Sequence, residues 1–403
     1  MANYKILWLL VVFIVANNQV NTEVTATTEY GNLVTILSID GGGIKGIIPA
    51  VILQYLEAEL QKKDEKARIS DYFDVIAGSS TGGIIASMLA TPHPYHKTRP
   101  LFTAPQILNF YKHLGPSIFN QTRPWSMLFT QGPKYDGKEL RHFLRLAFNQ
   151  TRLSQTLTNV VIPTYDLKLS HPTIFSSFQE KYSDVLLSDI CIGTTATPTY
   201  FPAHHFENNG RDFNLIDGIF TANHPALVAI SEVRHAQKKK LELFGSKKSS
   251  DIKFLVLSLG TGKSESSDKY DAETTNNWSG LDWSSPVLQI TLYDSPVYIT
   301  DYYLATTVDI DQDKYLRIQE YELEEWVASV DNCTRENLDD LERVGKKLLE
   351  KPVLRVNAEK FVPEKIGEAT NGEALQRFAE ILYNERQHRL AKKSQKMTGR
   401  FTS

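Results

Sequence analysis

The strongest constraint on the fold lies between residues 33 and 55, in LVTILSIDGGGIKGIIPAVILQY. A β-rich run stops at three glycines, and a helix-forming segment, IIPAVILQYLEAELQKK, begins just beyond them. The same order returns downstream, where YFDVIAG is followed by SSTGGIIASMLA, a turn opening into a helix. GKELRHFLRLAF then reads as helix, and NVVIPTYDL, PTIFSSF and DIKFLVLSLGTG read as strands. Strand and helix in alternation predict an α/β fold, a mostly parallel central sheet with helices on both faces. Past about Gly262 the pattern loosens. RENLDDLERVGKKLLEKP and ALQRFAEILYNERQHRL are amphipathic helices, and the lysine-rich end AKKSQKMTGRFTS is expected to be solvated. The expected organisation is an α/β core over 33–262, with 263–403 a helical elaboration of the same domain.

The chain has 403 residues, enough for one large domain or two ordinary ones. A net charge of −3 offers no electrostatic case for a nucleic-acid partner. Two cysteines exclude a disulfide framework; Cys191, in DICIGTTATP, is expected to be buried and Cys333, in DNCTREN, to face water. At the N-terminus Lys5 precedes an apolar run from Ile6 to Ala16. That run suits a secretory signal and is too short to span a bilayer. A signal segment over 1–26 is expected, cleaved somewhere between residues 16 and 28. Four N-x-S/T sequons, at Asn120, Asn149, Asn277 and Asn332, are glycosylation candidates. Together these features predict the secretory pathway, ending in the vacuole or outside the cell, and no transmembrane segment.

GGGIKG matches the G-x-G-x-x-G pattern of dinucleotide-binding loops. Backbone N–H groups in a row of glycines serve an acyl-transfer oxyanion as well as they serve a phosphate. Asp40, directly before the glycines, is expected to oppose a pyrophosphate. AGSSTGG holds a G-x-S-x-G, Gly78 to Gly82, between an apolar strand and a helix, the context of a nucleophile elbow with Ser80 at its tip. Asp217, in FNLIDGIFTANHPA, has the placement of a carboxylate at a strand end.

With SIDGGGIKG, GSSTGG, PKYDGKEL, TTATPTYFPAHHF, NLIDGIFTANHPAL and LSLGTG, nearly the whole mature chain resembles the patatin-like phospholipase family. That resemblance implies a fold like the catalytic domain of cytosolic phospholipases and a serine–aspartate dyad. It makes Ser80 the nucleophile, Asp217 the general base, and Gly41, Gly42 and Gly43 the oxyanion hole. Asp40, Lys45, Gly46, Gly78, Gly82 and Gly218 complete the motifs. Two positions depart from the family pattern: Lys45 stands where arginine is frequent, and bulky Ile219 follows Asp217-Gly218. His204, His205 and His224 lie near enough in sequence to make a conventional triad the competing arrangement. DIDQDKYLRIQE has the Asp309, Asp311, Asp313 and Glu320 spacing of a calcium loop, but Lys314 replaces its turn glycine, so a solvated acidic turn before a strand is expected.

The resemblance implies a lipid acyl hydrolase that cleaves membrane glycerolipids, phospholipids and galactolipids, through an acyl-serine. It would need no cofactor and no metal, and would touch membranes or lipid aggregates transiently. Alternatives are a storage or defence glycoprotein with incidental esterase activity, and a dinucleotide-binding protein. The aromatic, proline-rich stretch from Pro92 to Tyr135 is expected to shape an acyl channel.

Overall fold

The computed structural model describes residues 33–120, 132–239, 252–264, 270–308, 310 and 314–400. The expected signal segment, 1–26, lies outside the described residues. The main sheet has strands β1 (Leu33–Ile39), β2 (Val75–Gly78), β3 (Asn159–Asp166), β4 (His171–Ser176), β5 (His204–Asn208), β6 (Arg211–Ile216), β7 (Lys253–Leu259) and β8 (Tyr315–Ile318). Parallel pairings join β3, β2, β1, β7 and β8 in that spatial order. β4 and β6 pair antiparallel with β3, and β5 pairs antiparallel with β6.

The antiparallel flank follows from short connections. Four residues, 167–170, link β3 to β4, too few for a crossover. Asn209-Gly210, both at positive φ, turn β5 directly into β6. The parallel strands are separated by helices: α1 (Ile47–Gln61), α2 (Thr81–Ala90), α3 (Ala104–Ile118), α4 (Lys138–Phe148), α5 (Leu187–Thr194), α6 (Ala226–Lys238), α7 (Gly280–Gln289) and α8 (Ser295–Thr306). Then come α9 (Arg335–Glu350), a small hairpin of β9 (Pro352–Val356) and β10 (Pro363–Thr370), and α10 (Asn371–Arg400).

Successive strand residues serve opposite faces. Leu37, Ile39, Ile76 and Leu257 join the larger core with α1 to α5, α9 and α10. Val34, Ile36, Val75, Ala77 and Val256 meet α6 and α8 on the other face. Burial on both faces explains why these strands read as unbroken apolar runs.

The segment after residue 262 supplies edge strand β8, the strand expected after the acidic turn, and, besides the expected helices, the β9–β10 hairpin. The lysine-rich end continues α10 to Arg400. Arg389 of α10 binds both carboxylate oxygens of buried Asp74 (2.5 and 2.9 Å), just before β2, so this region is tied into the sheet. No helix among the described residues is long and apolar enough to cross a membrane.

Candidate active site

β2 ends at Gly78, α2 starts at Thr81, and Ser80 occupies the turn with φ 52° and ψ −125°. A non-glycine residue held there stores strain of order 1–3 kcal/mol, so the surroundings must impose it. They do so by contact. A Cβ on Gly78 would lie 2.1 Å from the carbonyl oxygen of Gly82, and one on Gly82 would lie 2.3 Å from that of Ile39. The Ser80 N–H donates to Thr194 Oγ1 (3.0 Å), whose hydroxyl donates to the Pro163 carbonyl (2.7 Å).

β6 delivers Asp217 to the same point. Ser80 Oγ donates to Asp217 Oδ2 at 2.8 Å. The Thr197 hydroxyl donates to the same oxygen, and the Ile219 N–H donates to Oδ1 at 2.9 Å. Bulky Ile219 is therefore accommodated: its backbone orients the carboxylate and its side chain lines the cleft. Asp217 is buried, and burial pushes its pKa up to about 6 against the pull of these three hydrogen bonds. Such a carboxylate is a stronger base than a solvated one and is still ionised at neutral pH.

The glycine loop after β1 corrects one expectation. The Gly41 N–H is already committed to Asn223, through Oδ1 (3.1 Å) and the backbone carbonyl (3.3 Å). Ile44 N–H donates to the Val330 carbonyl. The N–H groups of Gly42 and Gly43 have no acceptor among the described residues, and both glycines line the cleft beside Ser80. The N–H of Thr81, first in α2, is also without an acceptor among the described residues. Sequence reasoning passed over Thr81, although its place directly after the serine was the available signal.

Asp40, expected to oppose a pyrophosphate, is itself paired with a cation. It forms a bidentate pair with Arg317 of β8, at 3.1 and 2.7 Å, with both side chains buried. Burial pushes Asp40 up to about 6 while the guanidinium pulls it down. Arg317 also donates to Ser258 Oγ (2.8 Å), which hydrogen-bonds His224 Nε2 (2.8 Å). Lys45 turns away from Ser80: its ammonium donates to the Gly262 carbonyl (3.1 Å), and burial lowers its pKa to about 8. Gly46 packs beneath the Tyr111 hydroxyl, and Gly218 packs against the Pro163 carbonyl and Ser79.

None of the three histidines touches the serine or its aspartate. His204 binds Asp189 (2.8 Å), His205 binds Asp212 (2.5 Å), and His224 is held at Ser258, where burial and then Arg317 depress its pKa well below the usual value.

Ser80 and Asp217 lie in a mainly apolar cleft. α3, from the stretch expected to shape a channel, contributes Phe110, Tyr111 and Ile118; Phe201 and Tyr293 add further wall. Residues 121–131 of that stretch lie outside the described residues. The role of Tyr293 had no signal in the sequence. Among the sequons Asn120, Asn149 and Asn277 are exposed, while Asn332 is half-buried and its Oδ1 accepts from Thr334. Asp309, Asp311 and Asp313 lie outside the described residues; Glu320 is paired with Lys351 (2.6 Å). Cys191 is buried, and Cys333, expected to face water, is half-buried because its turn packs against Gly115 of α3.

The family profile named Patatin, described as patatin-like phospholipase, matches residues 37–230. Patatin-like protein 2 of Arabidopsis thaliana is 46% identical over 383 residues, spanning 89% of this chain and 93% of its own. Patatin-03 of Solanum tuberosum is 41% identical over 409 residues, spanning 98% and 100%. Among solved structures, VipD from Legionella pneumophila aligns with 85% of this chain and 72% of its own at 11% identity and a TM-score of 0.34, too loose an overlap to bear on function.

Proposed function

The chain belongs to the patatin-like phospholipase family, and from that premise we propose that it hydrolyses ester bonds of membrane glycerolipids, phospholipids and galactolipids, in the manner of a phospholipase A. The observation that carries this reading is the 2.8 Å contact between Ser80 Oγ and Asp217 Oδ2 at the floor of an apolar cleft, with no histidine in contact. In the proposed reaction Ser80 Oγ attacks the ester carbonyl carbon as its proton passes to Asp217 Oδ2. The oxyanion that forms takes hydrogen bonds from the open N–H groups of Gly42 and Gly43. Collapse breaks the carbonyl–alkoxy bond, and Asp217 returns its proton to the leaving alcohol. A water molecule then gives its proton to Asp217, attacks the acyl-serine, and releases the fatty acid with Ser80 restored. The apolar wall made by α3, Phe201 and Tyr293 suits an acyl chain.

A fluorophosphonate probe tests the assignment directly. Labelling is expected at Ser80 alone, identified by peptide mapping; labelling at Ser79, or none in folded protein, overturns it. The apolar N-terminal run and the sequons support entry into the secretory pathway. Protein from its native tissue should therefore lack Met1 and lose mass on deglycosylation.

A further inference from the structure

Helix α7 carries its apolar residues on the wrong side for a globular protein. Only Pro286 of the helix is buried. Leu281 is 77% exposed, and Trp283, Val287, Leu288 and, in the next turn, Ile290 are also exposed. At about 100° per residue these five fall within one half of the helical circumference. Pro286, Asp282 and Gln289 fall in the other half. The apolar half is therefore turned away from the body of the protein. The helix is well formed without that burial, because Ser279 and Asp282 close a capping box at its start.

Two further features say what such a face fits. First, it adjoins the cleft along the chain: three residues after Ile290, Tyr293, on the other side of the helical path, lines the same cavity as Ser80 and Asp217. Second, the chain from Tyr270 to Thr306 has no lysine, arginine or histidine, and five carboxylates. Of these, Asp271, Glu273 and Asp282 are exposed. Tyr270, Trp278 and Trp283 stack edge to face at 5.1 and 5.0 Å, an aromatic cluster of the kind that settles at a lipid–water boundary.

We propose that α7 and the adjoining aromatic cluster dock the enzyme on lipid surfaces without net negative charge, presenting the cleft mouth to the bilayer. This rests on the lipid-hydrolase reading above. Anionic surfaces are disfavoured by the three exposed carboxylates, which no neighbouring cation within this segment offsets.

Docking is read by flotation of the full mature chain carrying Ser80→Ala, so that hydrolysis plays no part. Phosphatidylcholine vesicles should carry the protein, and vesicles enriched in phosphatidylserine should carry less at low salt. Leu281→Ser with Leu288→Ser should weaken flotation on the order of tenfold per residue. In the Ser80 enzyme the same pair should cut hydrolysis of vesicle lipid and leave a soluble short-chain ester within twofold. Glu273→Lys should instead strengthen binding to phosphatidylserine vesicles, roughly fivefold, an opposite-sign effect that misfolding cannot mimic. Unchanged flotation of the leucine variant overturns the proposal. So does a wild-type dimer that these substitutions dissociate without altering flotation, which would make the face a contact between copies. If vesicles carry the protein but the Ser80 enzyme cleaves neither ester, the docking face stands and the catalytic reading fails.

Discussion

The floor of the cleft and the docking helix α7, proposed above as its lip, are built by opposite rules. At the floor, backbone touches backbone: no methyl group fits at Gly78 or Gly82, and Ser80 is held in a strained conformation by Thr194. At the lip, α7 buries a single residue and a Cβ on Gly280 would meet nothing within 4 Å. Chemistry needs its reacting atoms fixed to fractions of an ångström, and close packing supplies that. A surface that meets a fluid partner has no such need and spends its apolar residues on exposure.

Substitutions at the floor should have the largest effects. Ser80→Ala, Asp217→Asn and the double change should each lower kcat by a similar factor, on the order of 10³ or more, because residues acting as one unit give non-additive losses. Asp217→Asn should not lower Tm, since it removes a buried charge and the Ser80 and Thr197 hydroxyls can rotate to accept from the new amide. Single Gln substitutions of His204, His205 or His224 should cost far less in kcat; a loss as large as that of Asp217→Asn in folded protein makes the site a triad.

Next comes Arg317→Met, which strands the buried Asp40 carboxylate and should cost roughly 3–5 kcal/mol in denaturant melts. Adding Asp40→Asn should restore part of that loss; a cost below about 1 kcal/mol for Arg317→Met would mean the loop does not depend on the pair.

Alanine at the two glycines compares the regions most directly. Gly78→Ala should destabilise by roughly 1–3 kcal/mol and impair activity as well, since relief requires moving the serine turn. Gly280→Ala should be neutral or stabilising by up to about 1 kcal/mol, because it only adds helix propensity at an open site. Equal effects on Tm would erase the distinction between floor and lip.

Proton uptake at the floor gives the gentlest test. The base must be ionised, so kcat/KM on a soluble ester should be flat above its pKa and fall as pH drops through about 6, approaching tenfold per unit below. Variants of the lip should leave that profile in place, while a midpoint near 4 would mean Asp217 is solvated.

How much of this was legible beforehand depended on range. The placement of Ser80 and Asp217 was readable because each sits in a short motif whose neighbours dictate a strand end and a sharp turn. The α/β alternation was readable for the same reason: the period of apolar residues is a local property. The antiparallel flank had a local signal too, in Asn209-Gly210, which the expectation of a mostly parallel sheet did not weigh.

Tertiary structure decided the polar partners. Asp40 finds its guanidinium 277 residues away, on edge strand β8. Asn223 closes off the Gly41 N–H across 182 residues, leaving Gly42 and Gly43 open. His204 goes to Asp189 and His224 to Ser258, so neither reaches the serine. Strand and turn preferences depend on the residues within a few positions along the chain. The partner of a buried charge depends on the order in which distant strands enter the sheet, and the sequence around Asp40 carries no trace of that.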